Sequence, residues 1–184
     1  MSRFTIQSDR SHLKVRARST LHPIHGTGPL KGHVDAVIAD GKFDLGEPPT
    51  GTVQLEIADI RGEDEHFDEE MKRRLDADRY PSIVGVITGA EQKSGGIYYL
   101  TGDLTFHGQT QTVSGDIKVR FRGDRYMQAE GVLQLDIRDF GIKPPKVLML
   151  KVHPEIEVTF PDHTGKFRSP GCSPVPAPVI STLT

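Results

Sequence analysis

Three histidines near the N-terminus are the residues whose chemistry and spacing could hold a metal ion. His22 and His25 stand three positions apart, and His33 follows them. Imidazole nitrogens bind zinc and related metals, yet no cysteine lies close by and no acidic residue has a recognisable ligand spacing. Pro23 and the neighbouring glycines also predict an irregular loop. We therefore interpret these residues as loop histidines without a metal, and a metal site at His22 and His25 stays as the alternative.

Four further residues carry the side chains that general acid–base catalysis requires. They are Asp103, His107, Asp116 and Asp136. Each stands at a polar position of an alternating pattern, which is typical of the solvated face of a strand. The chain has no nucleophile elbow and no glycine-rich phosphate loop, and its single cysteine, Cys172, lies in a proline-rich tail. The sequence therefore predicts a protein that is not an enzyme. The alternative is a small enzyme that acts on an apolar substrate with the histidine pair.

The composition excludes several classes of partner. A chain of 184 residues fits one domain. Its net charge of −2 gives no basic surface for nucleic acid or for an anionic membrane. No run approaches the roughly 18 apolar residues of a membrane helix, and the N-terminus has no apolar leader region. We therefore expect a cytoplasmic protein without a membrane span.

Most of the chain alternates between apolar and polar residues, which predicts β-strands with one covered face. The clearest case is residues 97–121, where two long arms meet at a tight turn around Gly108. Leu104 and Phe106 share one face of the first arm, and Val119 lies on the apolar face of the second. This pattern indicates an antiparallel sheet that covers something apolar on one side.

One segment, residues 65–76, changes to the helical period. Phe67, Met71 and Leu75 are four positions apart and form a narrow apolar stripe, and Asp64 is placed to cap the helix. Acidic residues precede basic residues in this segment, which predicts three i,i+4 ion pairs. We interpret the stripe as a surface that packs against the sheet. The alternative is a functional role, in which the helix is a lid over the mouth of a tunnel and Met71 is an adaptable contact.

Long one-sided strands either close into a barrel or stack as two sheets. Glycines recur in mid-strand at positions 85, 102, 115 and 131, which indicates strong coiling or space left for another molecule. A barrel of about eight strands is just wide enough for one small or chain-like ligand. From the pattern alone, a dry core and a ligand cavity both stay open. The proline-rich residues 162–184 are predicted to be a disordered tail.

Six segments, in this order, resemble the motifs of the YceI-like lipid-binding family. They are Phe4–Ile6, Ser11–Val15, Leu75–Ile83, Gly102–Gly108, Asp139–Ile142 and Lys151–Phe160. In this family the first two are the first strands, and the third is the helix exit with a Tyr-Pro-x-Ile strand start. The others are a Gly-x-Leu-Thr-Ile-x-Gly hairpin, an Asp-Phe-Gly-Ile segment and the closing strand. The resemblance implies an all-β fold in residues 1–161: a single antiparallel lipocalin-like β-barrel of about eight or nine strands with one short amphipathic helix.

The resemblance also implies a function, which is to bind, store or carry a long apolar lipid in an internal hydrophobic cavity without catalysis. The expected ligand is a polyprenyl lipid or an isoprenoid quinone, with no other cofactor, and a homodimer stays open. About thirty carbons at roughly 0.3 kcal/mol each would give an affinity of ~9 kcal/mol. We expect the cavity to be lined by Val15, Val53, Leu55, Phe67, Met71, Ile83, Leu100, Leu104, Phe106, Ile117, Val119, Leu133, Leu135, Phe140, Leu150 and Ile156.

Overall fold

The fold was analysed in a computed structural model. The structure describes residues 1–123, 126–144, 146–147, 150–160 and 167–168, with the backbone alone at 146, 147, 150, 167 and 168. Most of the predicted disordered tail, including Cys172, therefore lies outside the described residues.

Strands dominate the described part of the chain, as the alternation predicts. It contains one α-helix, α1 (Glu65–Arg74), and two 3-10 turns, Ile57–Asp59 and Ile137–Phe140. The strands are β1 (Ser2–Ile6), β2 (His12–Ser19), β3 (Ile24–Pro29), β4 (Lys31–Ala36), β5 (Ile38–Ala39), β6 (Lys42–Phe43), β7 (Thr50–Glu56), β8 (Ser82–Gln92), β9 (Ile97–Phe106), β10 (Gln109–Arg122), β11 (Tyr126–Asp136), β12 (Lys146–Val147), β13 (Leu150–Phe160) and β14 (Phe167–Arg168).

Antiparallel pairing runs through ten of these strands, in the order β3, β2, β13, β11, β10, β9, β8, β7, β4, β1. The ladder returns to its start because β1 and β2 follow each other around a short bend, as do β3 and β4, and the two bent segments pair with each other. The Leu30 amide donates to the Ser11 carbonyl at 2.7 Å where both segments bend. The predicted all-β, lipocalin-like barrel is thus confirmed, with ten strands rather than eight or nine because these bends divide two of them.

Local turn chemistry also follows the sequence. His107 and Gly108 have φ values of 50° and 73°, which is the geometry of a two-residue hairpin between β9 and β10. Asp40 and Gly41, at 51° and 70°, form the same kind of turn between β5 and β6. In β13 the register shifts around Pro154, where the ring nitrogen has no hydrogen to donate. The tight turn predicted around Gly108 is confirmed.

Helix α1 begins as predicted, since the Asp64 carboxylate accepts a hydrogen bond from the Phe67 amide at 2.8 Å. Of the three expected i,i+4 pairs the structure contains one, between Glu70 and Arg74 at 2.6 Å. The expected pair of Asp68 is wrong, because its buried carboxylate accepts from the Gly62 amide at 2.6 Å. No helix among the described residues has the length and apolarity needed to cross a bilayer.

One end of the barrel is closed by aromatic packing. The β5–β6 hairpin places Phe43 against Tyr98, with ring centroids 4.8 Å apart, and against Phe121 at 5.2 Å. Phe4 adds a further contact to Phe121 at 6.2 Å. The Tyr98 hydroxyl accepts the Phe43 amide at 3.2 Å, so the polar atom of this buried ring is satisfied.

Candidate functional site

The opposite end of the barrel holds a cavity of about 250 Å³ beneath α1. The inward faces of β2, β7, β8, β9, β11 and β13 line it, and apolar atoms form nearly the whole wall. On each strand this face follows from the period of two, because alternate side chains must point into the barrel. Helix α1 covers the mouth with Phe67, Met71 and Leu75, all of which are half-buried.

A second chamber of about 110 Å³ continues deeper into the barrel. The two spaces share walls, since Val53, Gly85, Leu104, Leu133 and Phe160 line both of them. They therefore form one apolar passage in two sections, between the helix and the aromatic packing at the closed end. We call the two sections the first cavity and the second chamber.

Glycines in mid-strand leave the second chamber open. Gly85 is paired in register with Leu104, and Gly115 with Leu100, so both glycines face inward like their partners. A Cβ atom on Gly115 would meet only Leu133 Cδ1 at 3.5 Å and a backbone oxygen at 3.7 Å. A side chain at this position would thus extend into the chamber without a steric clash at its Cβ atom.

The structure brings together most of the residues predicted to line a cavity. Leu100 and Ile117 line the second chamber but not the first cavity. The side chain of Leu150 lies outside the described residues. The first cavity is lined by Val15, Val53, Leu55, Phe67, Met71, Ile83, Leu104, Phe106, Leu133, Leu135 and Ile156.

Two of the predicted lining residues lie outside both spaces, and their assignment is corrected here. Phe140, 1% exposed, is the last residue of a 3-10 segment and packs behind the wall against Phe106, with ring centroids 5.6 Å apart. Val119 lies further along β10, level with the closed end, where it belongs to the packed core. Alternation identifies the inward face of a strand but not the depth at which the hollow ends, so it could not separate these residues from the lining.

Other lining residues were missed. Leu13 and Val158 alternate in step with Val15 and Ile156 and line the first cavity, so a fuller use of the period of two would have found them. Ile142 also lines it, but it follows the 3-10 turn in an irregular segment where no period applies.

Polar groups gather at the mouth and not in the interior. Glu70 accepts hydrogen bonds from Arg73 and Arg74, which lower the pKa of the carboxyl group. His25 and the exposed Lys143 complete this rim. Among the described residues Lys143 makes no ion pair, so it is free to contact a polar group at the mouth.

Of the residues considered for acid–base chemistry, His107 lies in the β9–β10 turn with its ring centroid 4.6 Å from that of Tyr80. The three aspartates have polar partners outside the passage. Asp103 accepts from the Thr112 hydroxyl at 2.8 Å, and Asp116 pairs with Lys93 at 2.6 Å. Hydrogen bonds from Arg138 lower the pKa of Asp136. These carboxylates are thus held by cross-strand or local partners on the solvent side.

The histidines do not form a metal cluster in the described residues. The His22 Nδ1 atom lies 3.1 Å from the Pro23 carbonyl oxygen and 3.6 Å from a Glu63 carboxylate oxygen. Within the ranges that the structure covers, no group of three or more His, Cys, Asp or Glu side chains could hold a metal ion.

A third depression, of about 330 Å³, lies on the outer face of β2, β11 and β13. Its walls carry both signs of charge, and these pair with one another: Arg18 lies 3.9 Å from Glu155, and Gln134 donates to Glu157 at 3.0 Å. It offers neither a net charge nor an apolar lining, so the passage inside the barrel is the site with a defined chemistry.

Comparison with protein families gives one match. A family model described as the YceI-like domain matches residues 4–161. This range contains every strand that lines the passage, together with α1. No curated protein matches the chain.

Solved structures share the fold at low sequence identity. BcnA from Burkholderia cenocepacia aligns with a TM-score of 0.73 and 17% identity, over 88% of this chain and 98% of that one. A polyisoprenoid binding domain from Saccharophagus degradans, implicated in plant cell wall breakdown, aligns with a TM-score of 0.70 and 11% identity, over 92% and 100%. The YCEI protein of Campylobacter jejuni aligns with a TM-score of 0.61 and 16% identity, over 78% and 83%.

Proposed function

Because the chain belongs to the YceI-like family, we propose that it binds an apolar lipid of the polyisoprenoid or isoprenoid-quinone type inside its barrel and stores or carries it. One observation carries the proposal: the passage of two joined spaces is apolar along its length and ends at a polar mouth. One of the solved structures with this fold is a polyisoprenoid binding domain.

The physical basis of binding is burial of apolar surface. An isoprenoid chain offers no hydrogen-bonding groups, so its affinity comes from the area that it removes from water, at about 25 cal/mol per Å². A wall with very few polar atoms loses few hydrogen bonds to water when such a chain enters. The inward faces of the strands meet this requirement, because their polar neighbours all point outward.

The orientation of the ligand follows from where the polar groups lie. The apolar end of the isoprenoid chain is directed toward the closed end, where the core side chains among the described residues are apolar or aromatic. The polar end stays at the rim beside His25, Arg74 and Lys143, where it keeps contact with water and with donors. Met71 and Phe67 of α1 then cover the part of the chain nearest the mouth.

Catalysis is not part of the proposed function. Among the described residues that line the passage, none is a nucleophile with an adjacent base, and the carboxylates of Asp103 and Asp116 bond to partners on the outer side of the sheet. Binding and release therefore require only that the helix and the rim admit the ligand.

The first experiment is to extract the purified protein with organic solvent and to weigh the intact complex by native mass spectrometry. We expect a lipid that leaves with the solvent and an intact mass that falls by the mass of that lipid. A protein that carries no lipid, and that takes up no prenol or quinone when these are added, would overturn the proposal.

Charged substitutions in the shared wall test the location. Leu104→Asp and Leu133→Asp each place a carboxylate in the passage, where an unpaired charge is strongly disfavoured, and should abolish lipid retention. The matched control is Thr105→Asp, one position along β9 from Leu104 on the outer face, where Thr105 contacts Thr110 and lines neither space. Retention by a folded Leu104→Asp, Leu133→Asp double variant at the level of its control would contradict the proposed site.

A further inference from the structure

The volume of the passage sets a limit on the chain that the barrel can enclose. The two spaces measure about 250 and 110 Å³, or about 360 Å³ together. An apolar protein cavity of about 150 Å³ holds one benzene molecule, which is about six carbons. By this measure the first cavity encloses about ten carbons, and both spaces together enclose about fourteen.

The lower limit of the passage is rigid. Phe43, Tyr98 and Phe121 interlock below the second chamber, with ring centroids about 5 Å apart, and Tyr98 is 1% exposed. Close-packed aromatic rings of this kind move little without a loss of stability. A longer chain therefore cannot extend past them, and the remainder of a long ligand has to stay outside the mouth.

Four glycines line the second chamber, at positions 85, 102, 115 and 131. A Cβ atom added at Gly85, Gly102 or Gly131 would lie 2.9, 2.7 or 2.5 Å from a neighbouring atom, so close packing accounts for these three. Gly115 differs, because an added Cβ would have no neighbour nearer than 3.5 Å, and it lies opposite the large partner Leu100. Gly115 has no strained backbone conformation that would require glycine, so local geometry does not account for it.

We propose that this barrel encloses about three isoprene units of its ligand, roughly fourteen carbons, and that Gly115 determines this length by keeping the second chamber open. The inference rests on the proposed lipid-binding function. The first isoprene units lie in the first cavity beneath α1, and the last unit lies over the glycines.

The test measures binding of three prenols, geraniol, farnesol and geranylgeraniol, which differ by one isoprene unit at each step. Displacement of a fluorescent apolar probe gives the affinity of each for the full chain. From geraniol to farnesol the affinity should rise, by roughly two- to fourfold for each added carbon that is buried. From farnesol to geranylgeraniol it should stay constant, because the added unit remains outside.

The decisive variant is Gly115→Val, which suits a strand and fills most of the second chamber. It should lower the affinity for farnesol by roughly ten- to fiftyfold and leave that for geraniol unchanged. The control is Gly89→Val, since Gly89 lies on β8, lines neither space, and has nothing within 4 Å of an added Cβ. Gly115→Ala should give a smaller loss in the same direction, and thermal unfolding checks that each variant is folded.

The outcomes separate the two proposals. If no prenol binds to the unaltered protein, the proposed function fails. If prenols bind but Gly115→Val weakens all of them equally, or leaves farnesol unaffected, the length determinant is overturned and the function stands. An affinity that continues to rise from farnesol to geranylgeraniol would also overturn it.

Discussion

The two ends of this barrel are built from the same alternating strands, yet one is solid and the other hollow. At the closed end, the β5–β6 hairpin inserts Phe43 between Tyr98 and Phe121, and the space is filled. At the open end, α1 lies across the strands with a stripe of only three apolar residues, and the strands beneath it leave about 250 Å³ unfilled. The difference therefore comes from what covers each end.

This contrast also separates stability from function. A filled aromatic cluster stabilises the fold through dispersion and buried area. A hollow apolar wall gives up those contacts in the free protein and regains them when a ligand enters. The closed end should accordingly dominate the free energy of unfolding, and the open end should dominate ligand binding.

The largest effect on stability should come from Phe43→Ala at the closed end. Removal of a buried phenylalanine costs about 3–5 kcal/mol through lost burial and the cavity that remains. Met71→Ala on the helix that covers the open end, where the side chain is half-buried, should cost about 1 kcal/mol. Urea unfolding of the two variants measures the difference, and equal losses would break the comparison.

An intermediate effect should come from Asp64→Ala, which removes the N-cap of α1. Loss of such a cap costs about 1 kcal/mol. Because the helix covers the mouth, this loss should speed lipid release roughly fivefold, as followed by stopped-flow transfer of a fluorescent lipid to vesicles. Glu65→Ala is the control, since Glu65 is also an acid of the first turn but does not cap the helix. A release rate that Asp64→Ala leaves unchanged would show that α1 does not gate the passage.

The smallest effect concerns the ion pair of Arg3 and Asp35, which lies on the outer face near the closed end. The two side chains form a paired contact at 2.7 and 2.8 Å. Hydrogen bonds from Arg3 lower the pKa of Asp35 below 3.8, with a smaller contribution from the charge of His33. Because the pKa of this carboxyl group is lower in the folded protein, its ionised form stabilises the fold at pH values above the pKa that it has in the unfolded chain. This stabilisation is lost as the pH falls through the pKa of the folded state.

Arg3→Ala should therefore destabilise the protein slightly at neutral pH and not at a pH well below 3.8. The pair is partly exposed and screened by solvent, so the change is small. In an Asp35→Asn background the same substitution should have one effect at both pH values. If the effect of Arg3→Ala still depends on pH in that background, the pH dependence belongs to a titrating group other than Asp35.

Much of the fold could be predicted from the sequence because local chemistry determined it. The period of two predicted the strands, Gly108 predicted the hairpin turn between β9 and β10, and Asp64 predicted the start of the helix. The motifs in residues 3–161 predicted the family, which the match over residues 4–161 confirms. Each of these signals lies within a few residues of the feature that it predicts.

The position of the cavity depends on residues far apart in the chain, so the sequence predicted its lining only in part. Alternation placed Val119 and Leu104 on equivalent inward faces, but Val119 lies in the packed core together with Phe43, whereas Leu104 lines a cavity. Asp68 was predicted to pair along the helix, and its bond to Gly62 arises from the packing of a preceding loop. The volume, and with it the length of chain that fits, is a property of the assembled barrel.

The most direct test of lipid binding in the hollow end is nuclear Overhauser spectroscopy on the protein with bound farnesol. The account predicts contacts from the prenyl protons to the methyl groups of Leu104 and Leu133, and none to the rings of Phe43 or Tyr98. Contacts confined to the outer face, or to the aromatic cluster without the two leucines, would contradict it.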